Sequence, residues 1–189
     1  MYLRIIFTLF FTFSMVHGQQ GSMIGPGLWN ILSFMEYEPR VGDNLYMNCD
    51  VVKRRLNRTN EGYNVTCDFE KDLDDSYGIL IDICKKVDGG CKPYQILKDE
   101  NITQFFEKYT NENIKQLLLL AGVDPPEFPL ATGSYKVQNY MVDYCNLPPN
   151  CPYGEYEGTG CITKHGQRVC CVAAIVEFVE DNNDVCGYE

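Results

Sequence analysis

Ten cysteines, at 49, 67, 84, 91, 145, 151, 161, 170, 171 and 186, constrain this chain more than any other feature. They follow the leader "MYLRIIFTLFFTFSMVHG", whose single basic residue Arg4 precedes an apolar run from Ile5 to Val16. That pattern reads as a secretory signal peptide over residues 1–18, set aside from the fold. The run of twelve residues falls short of the ~20 that a spanning helix needs. An even cysteine count behind such a leader predicts disulfides and a secreted, extracellular location. Zinc is a poor alternative: Cys145 and Cys151 lack metal-site spacing, and His165 is the only histidine after the leader. Three sequons, at Asn57, Asn64 and Asn101, agree with secretion and predict N-glycosylation.

Residues 19–189 are then one domain, large enough to bury about 70% of its unfolded surface. Without Arg4 there are 15 basic residues against 26 acidic ones. Such an acidic chain lacks the basic footprint that a nucleic-acid partner requires. An acidic, Asn-rich tail begins near Asp181.

The dominant pattern is alternation, which reads as β-strand. "NLYMNCDVV" and "GYNVTCDFE" each carry apolar residues on one face. Folding them about Arg58 sets Cys49 opposite Cys67, within reach of a cross-strand disulfide, and turns Asn64 outward. "YGILIDICKK" places Ile79, Ile81 and Ile83 inward, and the turn "VDGG" brings Cys84 to Cys91. In "SYKVQNYMVDY", Tyr135, Val137 and Met141 share one side, with Tyr140, Val142 and Tyr144 on the other. Cys145 and Cys151 are spaced to close the loop "CNLPPNC". In "CITKHGQRVC" a two-residue His165-Gly166 turn sets Cys161 opposite Cys170. By elimination Cys171 then takes Cys186, although this scheme is one of many that ten cysteines allow.

One short amphipathic helix interrupts the strands. Thr110 or Asn111 can cap it, Ile114, Leu117, Leu118 and Ala121 share its apolar stripe, and Gly122 with Pro125-Pro126 stops it. The expected fold class is mostly β: an antiparallel β-sandwich or β-cup with one short amphipathic helix, stapled by disulfides. The last strand, "VCCVAAIVEF", is apolar on both faces and hence buried on both. Either a solid core or an apolar cavity satisfies that pattern.

"PLATGSYKVQNYMVDYCNLPP" and "PYGEYEG", with "LNRT", "NVTCDFEKDLDD" and "ICKKVDGGCKPY" in that order, resemble segments of the insect GM2-activator-like proteins. That group includes the chemosensory-B type and is related to the MD-2-related lipid-recognition proteins. The resemblance covers roughly residues 31–180 and implies a β-cup, open at one end, with an apolar interior that holds a lipid or similar molecule. The family often bridges a cysteine before its Pro-Leu-x-x-Gly segment to one near the helical region. Here those places hold Phe128 and the Phe105-Phe106 neighbourhood, so aromatic packing stands in for the bridge.

Catalysis is not expected. The chain has no Gly-x-Ser-x-Gly elbow, His-Glu-x-x-His pair or phosphate-binding glycine loop, and no cofactor is called for. Two functional classes remain. One is a secreted binding protein for a lipid or other apolar small molecule, in chemosensory or lipid-transfer roles. Its cavity would be lined by Ile79, Ile81, Ile83, Tyr135, Val137, Met141, Val172, Ala174 and Val176, with Ile114, Leu117 and Leu118 near the mouth. The other is an extracellular interaction protein with a filled core, acting through its surface on a membrane receptor or secreted partner.

Overall fold

The structure, a computed structural model, describes residues 24–58 and 60–187. The signal peptide and Thr59, which completes the Asn57 sequon, lie outside the described residues. The strands are β1 (Ile24–Met35), β2 (Asn48–Arg55), β3 (Glu61–Phe69), β4 (Tyr77–Val87), β5 (Gly90–Asp99), β6 (Gly133–Tyr140), β7 (Asn150–Pro152), β8 (Gly154–Lys164) and β9 (Gln167–Glu180). Two helices, α1 (Ile102–Tyr109) and α2 (Asn111–Leu120), lie between β5 and β6. A six-stranded sheet runs β5-β4-β8-β9-β1-β7 and a three-stranded sheet runs β2-β3-β6, with every pairing antiparallel. The mostly β, antiparallel, disulfide-stapled class read from alternation is therefore the observed one, with a second helix added.

That second helix starts at a sequon. Asn101 caps α1, its side-chain oxygen accepting from the Gln104 amide at 2.9 Å, which satisfies one of the orphan amides of the first turn. Ile102 and Phe105 anchor α1 in the core, and Thr110 is the junction to α2. Asn57 and Asn64 also use their side-chain oxygens on backbone amides, those of Asn60 at 2.8 Å and Asn139 at 2.9 Å. In all three it is the side-chain oxygen, not the nitrogen to which a glycan attaches, that accepts these backbone amides.

Each long pairing except β2–β3 and β4–β8 contains a β-bulge, where two residues on one strand face one on the other. Two of these bulges change the outcome. The β8–β9 turn is the expected one, with His165 and Gly166 at φ 51° and 78°. Three residues after the turn Val169 is extra: Thr163 pairs with Arg168, but Ile162 pairs with Cys170 and Cys161 with Cys171. A one-residue slip reverses every face beyond it. The disulfide is therefore Cys161–Cys171, not Cys161–Cys170.

Cys170 turns inward as a free, buried thiol. Burial pushes its pKa up to about 11, while the Cys49 backbone amide, directed at the sulfur, opposes the shift. The expected Cys171–Cys186 and Cys145–Cys151 bridges give way to Cys145–Cys186. Cys145 lies in the turn Tyr144–Asn146 and meets the tail, where Asp181 accepts from the amides of Val185 and Cys186 at 2.9 and 3.1 Å. Cys151 sits opposite Gly25 in the β1–β7 ladder and is buried and free among aromatic rings. Cys49–Cys67 and Cys84–Cys91 form as read from the strands.

The second bulge is in β6. Tyr63 pairs with Tyr140 and Val65 with Val137, so Gln138 and Asn139 together oppose Asn64, and Asn139 adopts φ 56°. Tyr140 consequently turns in, 6% exposed, and Met141 turns out, 55% exposed. Alternation carried unbroken through this strand gives the opposite assignment.

The disulfide pairing has a direct test. Thiol titration of the native protein should find no reactive cysteine, and titration in denaturant should find two thiols, Cys151 and Cys170. Peptide mapping should recover Cys161–Cys171 and Cys145–Cys186. A Cys161–Cys170 peptide would show that the Val169 bulge is absent.

Candidate ligand cavity

The two sheets face each other, and their interior has a filled end and an unfilled one. The filled end is aromatic. Tyr156 and Phe178 have no exposed surface, and Trp29, Ile83, Tyr153 and Val176 pack on them with Cys151. Trp29 lies 4.8 Å from Phe178, and Tyr153 stacks on Phe178 at 5.6 Å, within the preferred range for aromatic pairs.

The unfilled end lies against the helices. A cavity of about 220 Å³ is bounded by Val51, Val65 and Cys67 of the small sheet, Ile162 and Val172 of the large one, and the apolar stripe of α2. Facing inward normally means burial, yet these strand residues are only half-buried. The space they face is unoccupied by side chains. β8 supplies a second sign of this. Gly158 and Gly160 share the inward face of Tyr156 and Ile162, and a Cβ built on either would meet no atom within 4 Å.

The lining offers almost no polar chemistry. Its one hydroxyl, that of Tyr135, donates to the Ala131 carbonyl at 2.7 Å. A polar solute transferred there would lose its water without replacement bonds, whereas an apolar one gains about 0.8 kcal/mol per CH₂. The volume lies between the roughly 150 Å³ apolar cavity that stays dry and binds benzene and the ~300 Å³ lower end of drug-sized pockets. It suits one slim apolar chain or ring.

A polar cluster fixes the helix wall in place. Asn113 of α2 is 7% exposed. Its side-chain oxygen accepts from Tyr140 and from the Asp143 amide, and its nitrogen donates to the Asp143 carbonyl, each at 2.9 Å. The β6 bulge makes this possible by bringing Tyr140 inward. Burial pushes the Tyr140 pKa up to about 12, and the nearby Asp143 and Tyr144 add to it. Beside it the hydroxyls of Tyr63 and Tyr144 meet at 2.7 Å. Desolvation first, then that bond, hold Tyr63 well above the ordinary tyrosine pKa. Both tyrosines are neutral hydrogen-bonding groups at physiological pH.

Of the residues expected to line a cavity, Ile114, Leu117, Leu118, Tyr135, Val137 and Val172 surround this one. Ile79 and Ile81 pack into the solid core around it, with Ile79 6% exposed. Ile83 and Val176 belong to the filled end. Ala174 does not line the cavity; it pairs with Gly158 on the floor between the two ends. Met141 stands outside, on the rim of a polar groove with Arg55 and Tyr144. Alternation identifies inward faces but not position along the interior, so it merges these environments.

Sequence reasoning missed Ile102, Leu130, Phe106 and Phe128 as wall residues. The rings of Phe106 and Phe128 lie parallel at 5.9 Å.

A larger groove, about 740 Å³, follows the free edge of β2. Glu36, Asp50, Asp68 and Glu70 line it, so it is a wet surface feature. No protein-family model and no curated protein matches the chain.

The two ends should respond differently to truncation. Phe178→Ala leaves a hole in packed rings and should cost about 3–5 kcal/mol. Leu117→Ala enlarges an existing void and should cost the low end of its class, about 2 kcal/mol. Urea unfolding of the two variants, with unchanged m-values, measures the difference.

Proposed function

We propose that the protein is a secreted binding protein that holds a lipid or other apolar small molecule between its sheets, in chemical sensing or lipid transfer. The observation that carries this reading is the apolar space of about 220 Å³, towards which Val51, Val65, Cys67, Ile162 and Val172 face while remaining half-buried. Removing apolar surface from water drives binding there, and shape sets the preference.

The resemblance to GM2-activator-like proteins supports the same role. Four disulfides, and the lack among the described residues of any helix long and apolar enough to cross a membrane, fit an extracellular protein. We assign no reaction to the cavity. Its disulfide sulfurs and the engaged Tyr135 hydroxyl give neither a nucleophile nor a base. The partner is an apolar small molecule, with delivery to a receptor or second secreted protein as the downstream step.

A fluorescent apolar probe, N-phenylnaphthylamine, should bind in one-to-one stoichiometry and be displaced by long-chain lipids. Gly160→Leu should abolish that uptake while leaving thermal unfolding within a few degrees of wild type, because the added side chain enters empty space. Wild-type protein that takes up no probe would favour the filled-core interaction protein.

A further inference from the structure

The apolar cavity does not stand alone. A second space of about 430 Å³ lies outside it, and the two share Phe106, Ile114, Leu118 and Phe128 as a common wall. The parallel Phe106 and Phe128 rings belong to that partition. No covalent bridge ties them, so moving one ring sacrifices a contact of the order of an aromatic pair and leaves the chain intact.

The outer space differs chemically from the inner one. Besides the shared apolar wall it presents Thr103, Glu107, Lys115 and Glu127. The Thr103 hydroxyl donates to Asp75, and Lys115, the one cation of this lining, has its charge offset by Glu112 at 3.6 Å. Glu107 and Glu127 are exposed, with no salt bridge or hydrogen bond to another described side chain. The outer space therefore offers acceptors and negative charge to whatever emerges from the inner one.

We infer that the two spaces form one bipartite site, with Phe106 and Phe128 as its gate, for a single-chain amphiphile whose head is an uncharged or cationic hydrogen-bond donor, such as an alcohol or amine. The inference rests on the proposed function and adds the class of ligand. The hydrocarbon occupies the inner cavity, and the hydroxyl or ammonium donates to Glu107 and Glu127. A carboxylate or phosphate head meets two like charges, against a single cation, Lys115, whose charge Glu112 already offsets.

Three probes with one hydrocarbon chain test this at neutral pH: decanol, decylamine and decanoate, each displacing N-phenylnaphthylamine from the intact, oxidised protein. Decanol and decylamine should bind about five- to tenfold more tightly than decanoate, the scale that two exposed charges provide. Decylamine's advantage should shrink in high salt. The double variant Glu107→Lys/Glu127→Lys should reverse the order in favour of decanoate, with unchanged circular dichroism. Phe128→Ala should speed probe uptake several-fold.

Equal or tighter wild-type binding of decanoate would overturn the head-group assignment while leaving the cavity occupied. So would a preference that the double variant leaves unaltered. Unchanged uptake by Phe128→Ala would remove the gate. If the N-phenylnaphthylamine probe itself fails to bind, the proposed function falls and this inference with it.

Discussion

The ladder between β8 and β9, with its extra residue at Val169, is the constraint on which the rest of the structure depends. β9 is apolar on both faces, so hydrophobic pattern alone cannot fix its register. Something else must do so. The bulge and the Cys161–Cys171 bond set which residues face inward. From that choice follow the burial of Phe178 and Tyr156 at one end and the exposure of Val172 to open space at the other. The paired cysteines have opposite fates for the same reason. Cys171 lies opposite Cys161, while Cys170 points into the core, where low polarity keeps it a thiol.

The interior is uneven because β8 changes residue size along its inward face. Tyr156 fills the space over the filled end, Gly158 and Gly160 leave it empty, and Ile162 resumes contact. Glycine within a strand weakens it through entropy and lost packing. Two on one face of a central strand are costly unless the missing side chains serve a purpose. The fixed helix wall serves the same end. Asn113, Tyr140 and Asp143 hold α2 by hydrogen bonds at its N-terminal end, so the apolar stripe of α2 faces the space without having to fill it.

Much of this was legible in the sequence, and the failures share a cause. Alternation located the strands, and turn chemistry located the β8–β9 hairpin and the Cys84–Cys91 clip. Cys49–Cys67 followed because β2–β3 contains no bulge. Beyond Val169 the inward face of β9 stayed as read but its partners on β8 moved by one, and with them the Cys161 partner; beyond Gln138–Asn139 the faces of β6 reversed, and with them the place of Met141. A bulge leaves little trace in a strand whose two faces are equally apolar, as around Val169. The Asn139 bulge had a weak trace, since asparagine tolerates positive φ. Six of the expected cavity residues do meet around one space. The others lie at the filled end, in the solid core or outside because period two carries no information about distance along a sheet.

The four disulfides have a shared geometry. Cys49–Cys67 joins neighbours within the small sheet, and Cys84–Cys91 and Cys161–Cys171 join neighbours within the large one. Only Cys145–Cys186 ties a segment following the small sheet to one following the large. The covalent network therefore stiffens each leaf and hinges the pair at one edge, but no sulfur spans the gap. Leaf separation is governed by non-covalent contacts, which include the backbone hydrogen bonds from Asn44, Tyr46 and Met47 to Arg168 and Val169 at the β2 edge, and the enclosed volume can swell without a covalent bond breaking.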